Sequence, residues 1–304
     1  MLDLVIIGTG PAGLSASIYA RRAGLDALTI EKQPLSGGQI LNTYEVDNYP
    51  GIPGVDGFTL ATKMRSHADD LGCRIEQGEV LKIEKLTKGF RVETGDGSIE
   101  TCAIIAAMGA EHSKLGIPGE EALTGMGVSY CATCDGAFFR NRIVTVVGGG
   151  DVAVEDAIYL ARTSSHVHVI HRRNELRAAK SLQEKLLSLP NVTMHWNTVT
   201  EEIKGSDHVE ELVIKNVKSG ETESLKTDGV FIAVGIRPVN GLLEGLVPLD
   251  EKGYAIAGDG CETGTPGIFA AGDLRTKKLR QIVTAVSDGA NAVNSVENYL
   301  LNLR

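Results

Sequence analysis

Residues 2–32, LDLVIIGTGPAGLSASIYARRAGLDALTIEK, decide the fold. Leu4 to Ile7 form an apolar run of strand length that ends on glycine. Ser15 to Ala23 contain no helix breaker and predict a helix; Ala27 to Ile30 predict a second strand, ending at Glu31. Gly8, Gly10 and Gly13 keep the G-x-G-x-x-G spacing between the first strand and the helix. Each glycine has a physical task there: a tight turn, close approach of backbone to pyrophosphate, and close packing of helix on strand. The helix N-terminus offers unpaired N–H groups and a positive dipole end to phosphate oxygens. Glu31 is suited to accept hydrogen bonds from ribose hydroxyls. A glycine-rich hexamer alone is a weak signal, since an ordinary strand–helix turn can carry one. Strand, helix, strand and terminal acid in this order make it a strong one.

The device recurs at residues 142–173, RIVTVVGGGDVAVEDAIYLARTSSHVHVIHRR. Val144 to Val147 predict a strand, Gly148, Gly150 and Ala153 the turn, Val152 to Arg162 a helix, and Val167 to Ile170 the next strand. Gly8 and Glu31 are 23 positions apart, as are Gly148 and His171, so Glu31 and His171 occupy equivalent points. The first is an acid; the second opens the run His171-Arg172-Arg173. A carboxylate suits a free 2′-hydroxyl and repels a 2′-phosphate, whereas arginine can grip a phosphate bidentately. The second unit is therefore expected to take NADPH, and the first a dinucleotide without that phosphate, FAD or NAD. Metal ligation by His166, His168 and His171 is disfavoured, because on a strand the first two share a face and His171 points away. No metal site is expected. A merely solvated role for Arg172, Arg173 and Arg177 fits poorly with their place just after the strand of a dinucleotide unit.

The chain has 304 residues, 42% apolar and 23% charged, with room for about two domains. A net charge of −9 argues against a general nucleic-acid or anionic-membrane surface. No apolar run approaches the ~18 residues of a membrane span. The first apolar run lacks a basic n-region and leads into a glycine turn, so it reads as fold rather than signal peptide. Five cysteines are too few for a disulfide scaffold and point to a cytoplasmic protein.

Three more apolar runs lead into glycine, within residues 103–110, 229–238 and 267–274. Gly272-Asp273 places a carboxylate where a sugar-like chain can be hydrogen-bonded, although Asp273 also reads as a turn residue. At residues 131–136 stands CATCDG, whose paired cysteines could be half of a zinc site, a staple, or a reversible disulfide.

The segments GTGPAG, GGQILNTYEVDNYPG, CATCDG, GGGDVAVEDA, HRRNELRA, GIFAAGD and RQIVTAVSDGA resemble, in order and spacing, low-molecular-weight bacterial-type thioredoxin reductases. The resemblance covers nearly the whole chain. It implies an α/β protein of two Rossmann-like, three-layer dinucleotide-binding domains. A discontinuous FAD domain would span residues 1–113 and 243–304, with an NADPH domain, 114–242, inserted. The implied FAD contacts are Gly8, Gly10, Pro11, Ala12, Gly13, Glu31, Gly37, Gly38, Gln39, Asn48, Gly109, Gly272 and Asp273, with Arg280, Gln281 and Ile282 near the flavin ring. The implied NADPH contacts are Gly149, Gly150, Asp151, Val152, His171, Arg172, Arg173 and Arg177, with Glu155 near the nicotinamide. Similar proteins read ATGA where this chain has Ala107-Met108-Gly109-Ala110, so one hydroxyl is lost; they often carry an aromatic where Ala137 stands, while Phe138 is kept.

Zinc requires four ligands or three plus water, yet Cys73, Cys102 and Cys261 are scattered singly. A staple would close a trivial loop in a reducing compartment. A redox disulfide is the reading left. Asp135 can carry the proton of thiol exchange, and a helix N-cap role for it is compatible. By the family pattern, Cys134 faces the flavin and Cys131 exchanges with the disulfide of thioredoxin or a thioredoxin-like protein. The resemblance also implies a homodimer and rotation of the NADPH domain about segments near 113–116 and 242–245. A ferredoxin-dependent flavin thioredoxin reductase and a flavin-dependent dithiol oxidase are the alternative functions; the intact second fingerprint counts against the first.

Overall fold

The computed structural model describes residues 1–43, 46 and 48–303. Tyr44, Glu45 and Asp47, inside the GGQILNTYEVDNYPG motif, and Arg304 lie outside the described residues. From the N-terminus run β1 (Leu2–Ile7), α1 (Pro11–Arg22), β2 (Ala27–Glu31), α2 (Gly57–Asp70), β3 (Ile75–Gln77), β4 (Val80–Lys85), β5 (Phe90–Thr94), β6 (Gly97–Ala106) and β7 (Ala110–His112). Then come β8 (Val128–Ser129), α3 (Ala132–Asp135), β9 (Ile143–Gly148), α4 (Asp151–Leu160), β10 (His166–His171), α5 (Lys180–Leu187) and β11 (Val192–Trp196). The strands β12 (Thr198–Lys204), β13 (Glu211–Asn216), β14 (Thr222–Lys226), β15 (Gly229–Ala233), β16 (Ile236–Pro238) and β17 (Ile268–Ala270) precede α6 (Ile282–Leu303).

The chain divides into two units: residues 1–41, 48–111 and 237–304, and residues 42–47 and 112–236. The resemblance had implied edges at 113/114 and 242/243. The observed division falls within β7 and β16, which form a two-stranded sheet of their own.

In the first unit a seven-stranded sheet has the order β3-β2-β1-β6-β5-β4, with β17 also on β6. β1 pairs in parallel with β2 and with β6, while β5 pairs antiparallel with β6. Successive residues of β1 enter opposite layers, as strand geometry requires. Leu4 and Ile6 pack with Ala12, Ala16 and Ala20 of α1 and with Val293 and Val296 of α6. Val5 and Ile7 pack with Ile83, Val92, Leu243 and Leu274 on the other side. The alanines recur every four residues, so one face of α1 is small and admits α6 closely.

The second unit repeats the plan with a parallel sheet β11-β10-β9-β15-β8. Val144, Val146, Val167 and Val169 pack with Ala153, Val154 and Ala157 of α4 and Leu186 of α5. Val147, Ile170, Val230 and Ile232 pack with Ile203, Leu212 and Ile214, which belong to the antiparallel sheet β12-β13-β14. Each unit is thus a three-layer, Rossmann-like α/β domain. In both, a glycine turn leaves the central strand and enters a helix.

Two expected boundaries shift for visible reasons. The first helix begins at Pro11 rather than Ser15, because Gly10 is extended and proline fits the first helical position. Of the run expected at 103–110, residues 103–106 are the buried end of β6, whose mostly exposed start at Gly97 pairs with β5, and Ala110 opens β7.

Candidate functional site

At the first turn Gly8 has φ +101°, and a Cβ on Gly13 would stand 1.8 Å from the Gly8 carbonyl oxygen. No side chain can occupy position 13 without moving that turn. Beside it the backbone N–H and hydroxyl of Thr9 both donate to Glu31 Oε2, at 2.7 and 2.6 Å, and the Gln33 N–H donates to Oε1 at 2.9 Å. The carboxylate at the end of β2 is thereby fixed while lone pairs stay open. The Gly37 N–H donates to the Thr9 carbonyl at 2.9 Å, which brings the Gly37–Gly38–Gln39 segment onto the same turn. Gln39 donates to the Ala110 carbonyl next to Gly109, and Asn48 donates to Gln281 at 2.9 Å. Gly272 lies against Ala12, the second residue of α1, with an added Cβ only 3.0 Å away. The candidate residues of the first unit therefore gather where β1, β6 and β17 end.

Asp273 contributes a buried oxygen, Oδ1, with no partner among the described residues. Burial pushes its carboxyl above the usual range, while Lys277 and Arg280 pull the other way. Arg280 lies over the Tyr254 ring at 4.1 Å. Sequence reasoning missed what holds this loop. Asp288 of α6 accepts from the Gly272 N–H at 2.9 Å, from Arg275 Nε and Nη2 at 2.8 and 2.7 Å, and from Lys277 Nζ at 2.8 Å. All three ionic side chains are buried. Asp288 stands inside the RQIVTAVSDGA segment, but the sequence alone assigns it no role, because its partners lie on a different segment.

At the second turn Gly149 lies against His171, whose Cε1 would be 2.2 Å from an added Cβ. His171 is 5% exposed and its Nε2 bonds the Glu175 carbonyl at 2.9 Å. Since a carbonyl only accepts, Nε2 carries the proton. Burial, and then the neighbouring arginines, push the imidazole below its ordinary value. The expected basic run is therefore split: His171 is a neutral wall behind the turn, and the charge sits on Arg172, Arg173 and Arg177, all exposed. The Arg177 N–H donates to the Gly149 carbonyl at 2.8 Å, and Asp151 Oδ1 accepts from the Ala179 N–H at 2.8 Å. These two bonds hold the arginine loop against the start of α4. Gly150, Val152 and Glu155 occupy that same start, Val152 and Glu155 exposed.

The histidines of β10 have a partner the sequence did not reveal. His168 Nδ1 lies 3.0 Å from His195 Nε2 of β11, and the His166 ring is 4.6 Å from that of His168. Burial and the other two imidazoles push His168 down to about 4. Among the described residues no group of three or more His, Cys, Asp or Glu is placed to hold a metal ion.

Cys131 and Cys134 form a disulfide with Cα atoms 5.3 Å apart. Cys131 is the N-cap of α3, and its carbonyl accepts from the N–H groups of Cys134 and Asp135 at 3.2 and 3.1 Å. Asp135 is the last residue of that short helix. Its side chain makes no cap bond, which removes the N-cap role; Oδ2 instead accepts from Ser129 Oγ at 2.6 Å. Oδ1 is buried without a partner among the described residues, and burial pushes the carboxyl up against the opposing pull of Ser129. The thiols outside the pair are different in kind: burial raises Cys73, Cys102 and Cys261, the last to about 12. Phe138, four residues after Cys134, is exposed.

A C-x-x-C disulfide and two glycine turns of dinucleotide type define the class, a nucleotide-dependent disulfide oxidoreductase. The chain belongs to the pyridine nucleotide-disulphide oxidoreductase family, whose profile matches residues 2–289. It is 44% identical over 303 residues to the thioredoxin reductase of Treponema pallidum (strain Nichols), covering 99% of this chain and 98% of that protein. It is 43% identical over 303 residues to the thioredoxin reductase of Bacillus subtilis (strain 168), covering 99% and 96%. The crystal structure of thioredoxin reductase from Streptococcus pyogenes MGAS5005 matches with TM-score 0.93 and 46% identity, over 99% of both chains. Membership implies a flavin and a pyridine nucleotide. The residues present fit both: the first turn offers a fixed carboxylate and an unpartnered buried Asp273 oxygen for sugar hydroxyls. The second offers exposed guanidiniums for a phosphate.

Proposed function

We propose that the chain reduces the disulfide of thioredoxin, or of a thioredoxin-like protein, at the expense of NADPH, with FAD as resident cofactor. The observation that carries this reading is the Cys131–Cys134 disulfide at the head of α3, with the half-satisfied Asp135 carboxyl behind it. Gly8, Gly10, Pro11, Ala12, Gly13, Glu31, Gly37, Gly38, Gln39, Asn48, Gly109, Gly272, Asp273, Arg280, Gln281 and Ile282 would hold FAD. Gly149, Gly150, Asp151, Val152 and Glu155 would face the NADPH pyrophosphate and nicotinamide, with Arg172, Arg173 and Arg177 on the 2′-phosphate and His171 buttressing the turn. The FAD domain would span residues 1–113 and 243–304, with 114–242 as the NADPH domain. When bound, FAD supplies a two-electron relay between a hydride donor and a disulfide.

In the reduced pair the Cys131 thiolate attacks the partner disulfide; one partner sulfur leaves as a thiolate and the other is held in a mixed disulfide. The Cys134 thiolate then attacks Cys131 Sγ, which releases the second partner sulfur and re-forms the Cys131–Cys134 bond. Asp135 takes the proton of the attacking thiol and returns it to a leaving sulfur. Each cycle consumes one NADPH and one proton and yields two partner thiols. A homodimer in the cytoplasm completes the proposal, supported by the family resemblance and the free thiols. Steady-state consumption of NADPH on addition of oxidised thioredoxin tests it, with reduced ferredoxin and air-oxidised dithiols as parallel arms. Turnover with thioredoxin and NADPH is expected; turnover confined to ferredoxin, or oxygen uptake with dithiols alone, would overturn it.

A further inference from the structure

We propose that Ser129 is a positioning residue of the disulfide site: its hydroxyl joins the Cys131 amide to the Asp135 carboxyl and holds the proton carrier in register with the attacking sulfur, a role that rests on Asp135 being that carrier. Ser129 ends β8, where it pairs with Phe231 of β15, and is 6% exposed. Its Oγ has one proton and two acceptors in reach, Asp135 Oδ2 at 2.6 Å and the Cys131 carbonyl at 3.4 Å. The proton goes to the carboxylate. That contact is shorter, a hydrogen bond to a charged acceptor is the stronger kind, and the Cys131 carbonyl already accepts from two amides of α3. The lone pairs of Oγ meanwhile accept from the Cys131 N–H at 3.1 Å.

One small side chain thus ties the backbone of the exchanging cysteine to the acid four residues later. It also divides the work of the carboxyl. Oδ2 is committed to Ser129, and Oδ1 is left buried and, among the described residues, unpartnered, the oxygen on which a proton can come and go. Among the described residues no charged side chain bonds the Asp135 carboxyl. α4, packed against α3, carries Glu155, Asp156 and Tyr159; Tyr130 follows β8, and Arg140 follows the turn after α3. Burial pushes the Asp135 carboxyl up and the Ser129 hydrogen bond pulls it down. Asp156, which burial and Glu155 lift to about 7, is the neighbour that could titrate in the working range, so it is included as a control.

The test is the pH profile of NADPH-driven reduction of oxidised thioredoxin by the FAD-loaded enzyme. It compares wild type with Ser129→Ala, Ser129→Thr, Asp135→Asn and Asp156→Asn. Profile shape does not depend on how much of a variant folds. Asp135→Asn is expected to remove one limb and Asp156→Asn to leave it. Without its donor the carboxyl binds its proton more tightly, so Ser129→Ala is expected to move that same limb to higher pH, by about one unit. Ser129→Thr, which keeps an Oγ, is expected to hold the limb near its original position. A Ser129→Ala profile lowered by one factor at every pH, with the limb unmoved, would overturn the positioning role and leave Asp135 standing. A limb that survives Asp135→Asn, or vanishes with Asp156→Asn, would overturn the assignment of Asp135 itself.

Discussion

At Cys134 the chemistry is a matter of one sulfur atom. On the proposed roles, serine at 134 would leave Cys131 able to attack a partner disulfide but without the thiolate that carries the mixed disulfide forward. Cys134→Ser is expected to abolish turnover, and to accumulate a covalent complex, lost on adding a thiol, only with a mixed-disulfide donor whose own second thiol is absent. Continued turnover would remove the pair from the mechanism. At the second turn, Arg172→Ala with Arg173→Ala is expected to weaken NADPH about ten- to a hundredfold in a binding titration. NADH should be nearly unaffected, and equal losses would show that these arginines do not read the 2′-phosphate. The Cys131–Cys134 pair was legible because two thiols three positions apart outside a metal site have few other uses. Ser129 was not, since a lone serine before a tyrosine carries no pattern. Nor was the inward turn of His171, which depends on Gly149 having no side chain.

Elements were legible where an apolar run met glycine, and less so where partners from elsewhere decide the fate of polar residues. β14, Thr222–Lys226, is almost wholly exposed and exists because β13 offers it a ladder. The loop after β17 is likewise set by α6, through Asp288. Asp288→Ala would strand Arg275 and Lys277 without their counter-ion, and removal of one partner from a buried ion pair costs about 3–5 kcal/mol. A fall of that order in unfolding free energy is expected in denaturant titrations, with loss of FAD retention because Gly272 loses its acceptor; an unchanged midpoint would show the network to be idle. The β10–β11 pair makes a pH prediction. His168 has its folded-state value lowered from 6.5 to about 4, so the unfolded chain binds the proton first. Its stabilising contribution is present above 6.5 and is lost as pH falls from 6.5 towards 4. His168→Gln should flatten the dependence of stability on pH over that window, and an unchanged slope would assign the acid sensitivity elsewhere.

Taken as a whole molecule, the chain uses one architecture twice and gives the copies opposite charge near the end of the second strand, Glu31 in the first and the arginines just beyond His171 in the second. On the proposed reading that asymmetry would distribute two dinucleotides between the two units; the disulfide lies in the unit with the arginines. The measurement that tests the account most directly is an anaerobic titration of the purified yellow protein with NADPH and, separately, NADH, followed by oxidised thioredoxin and a count of thiols formed. Bleaching by NADPH at concentrations well below those needed for NADH is expected, with colour and two thioredoxin thiols recovered per NADPH. A protein that stays colourless after incubation with FAD, or that bleaches and passes nothing to thioredoxin while Cys131 and Cys134 are intact, would contradict it.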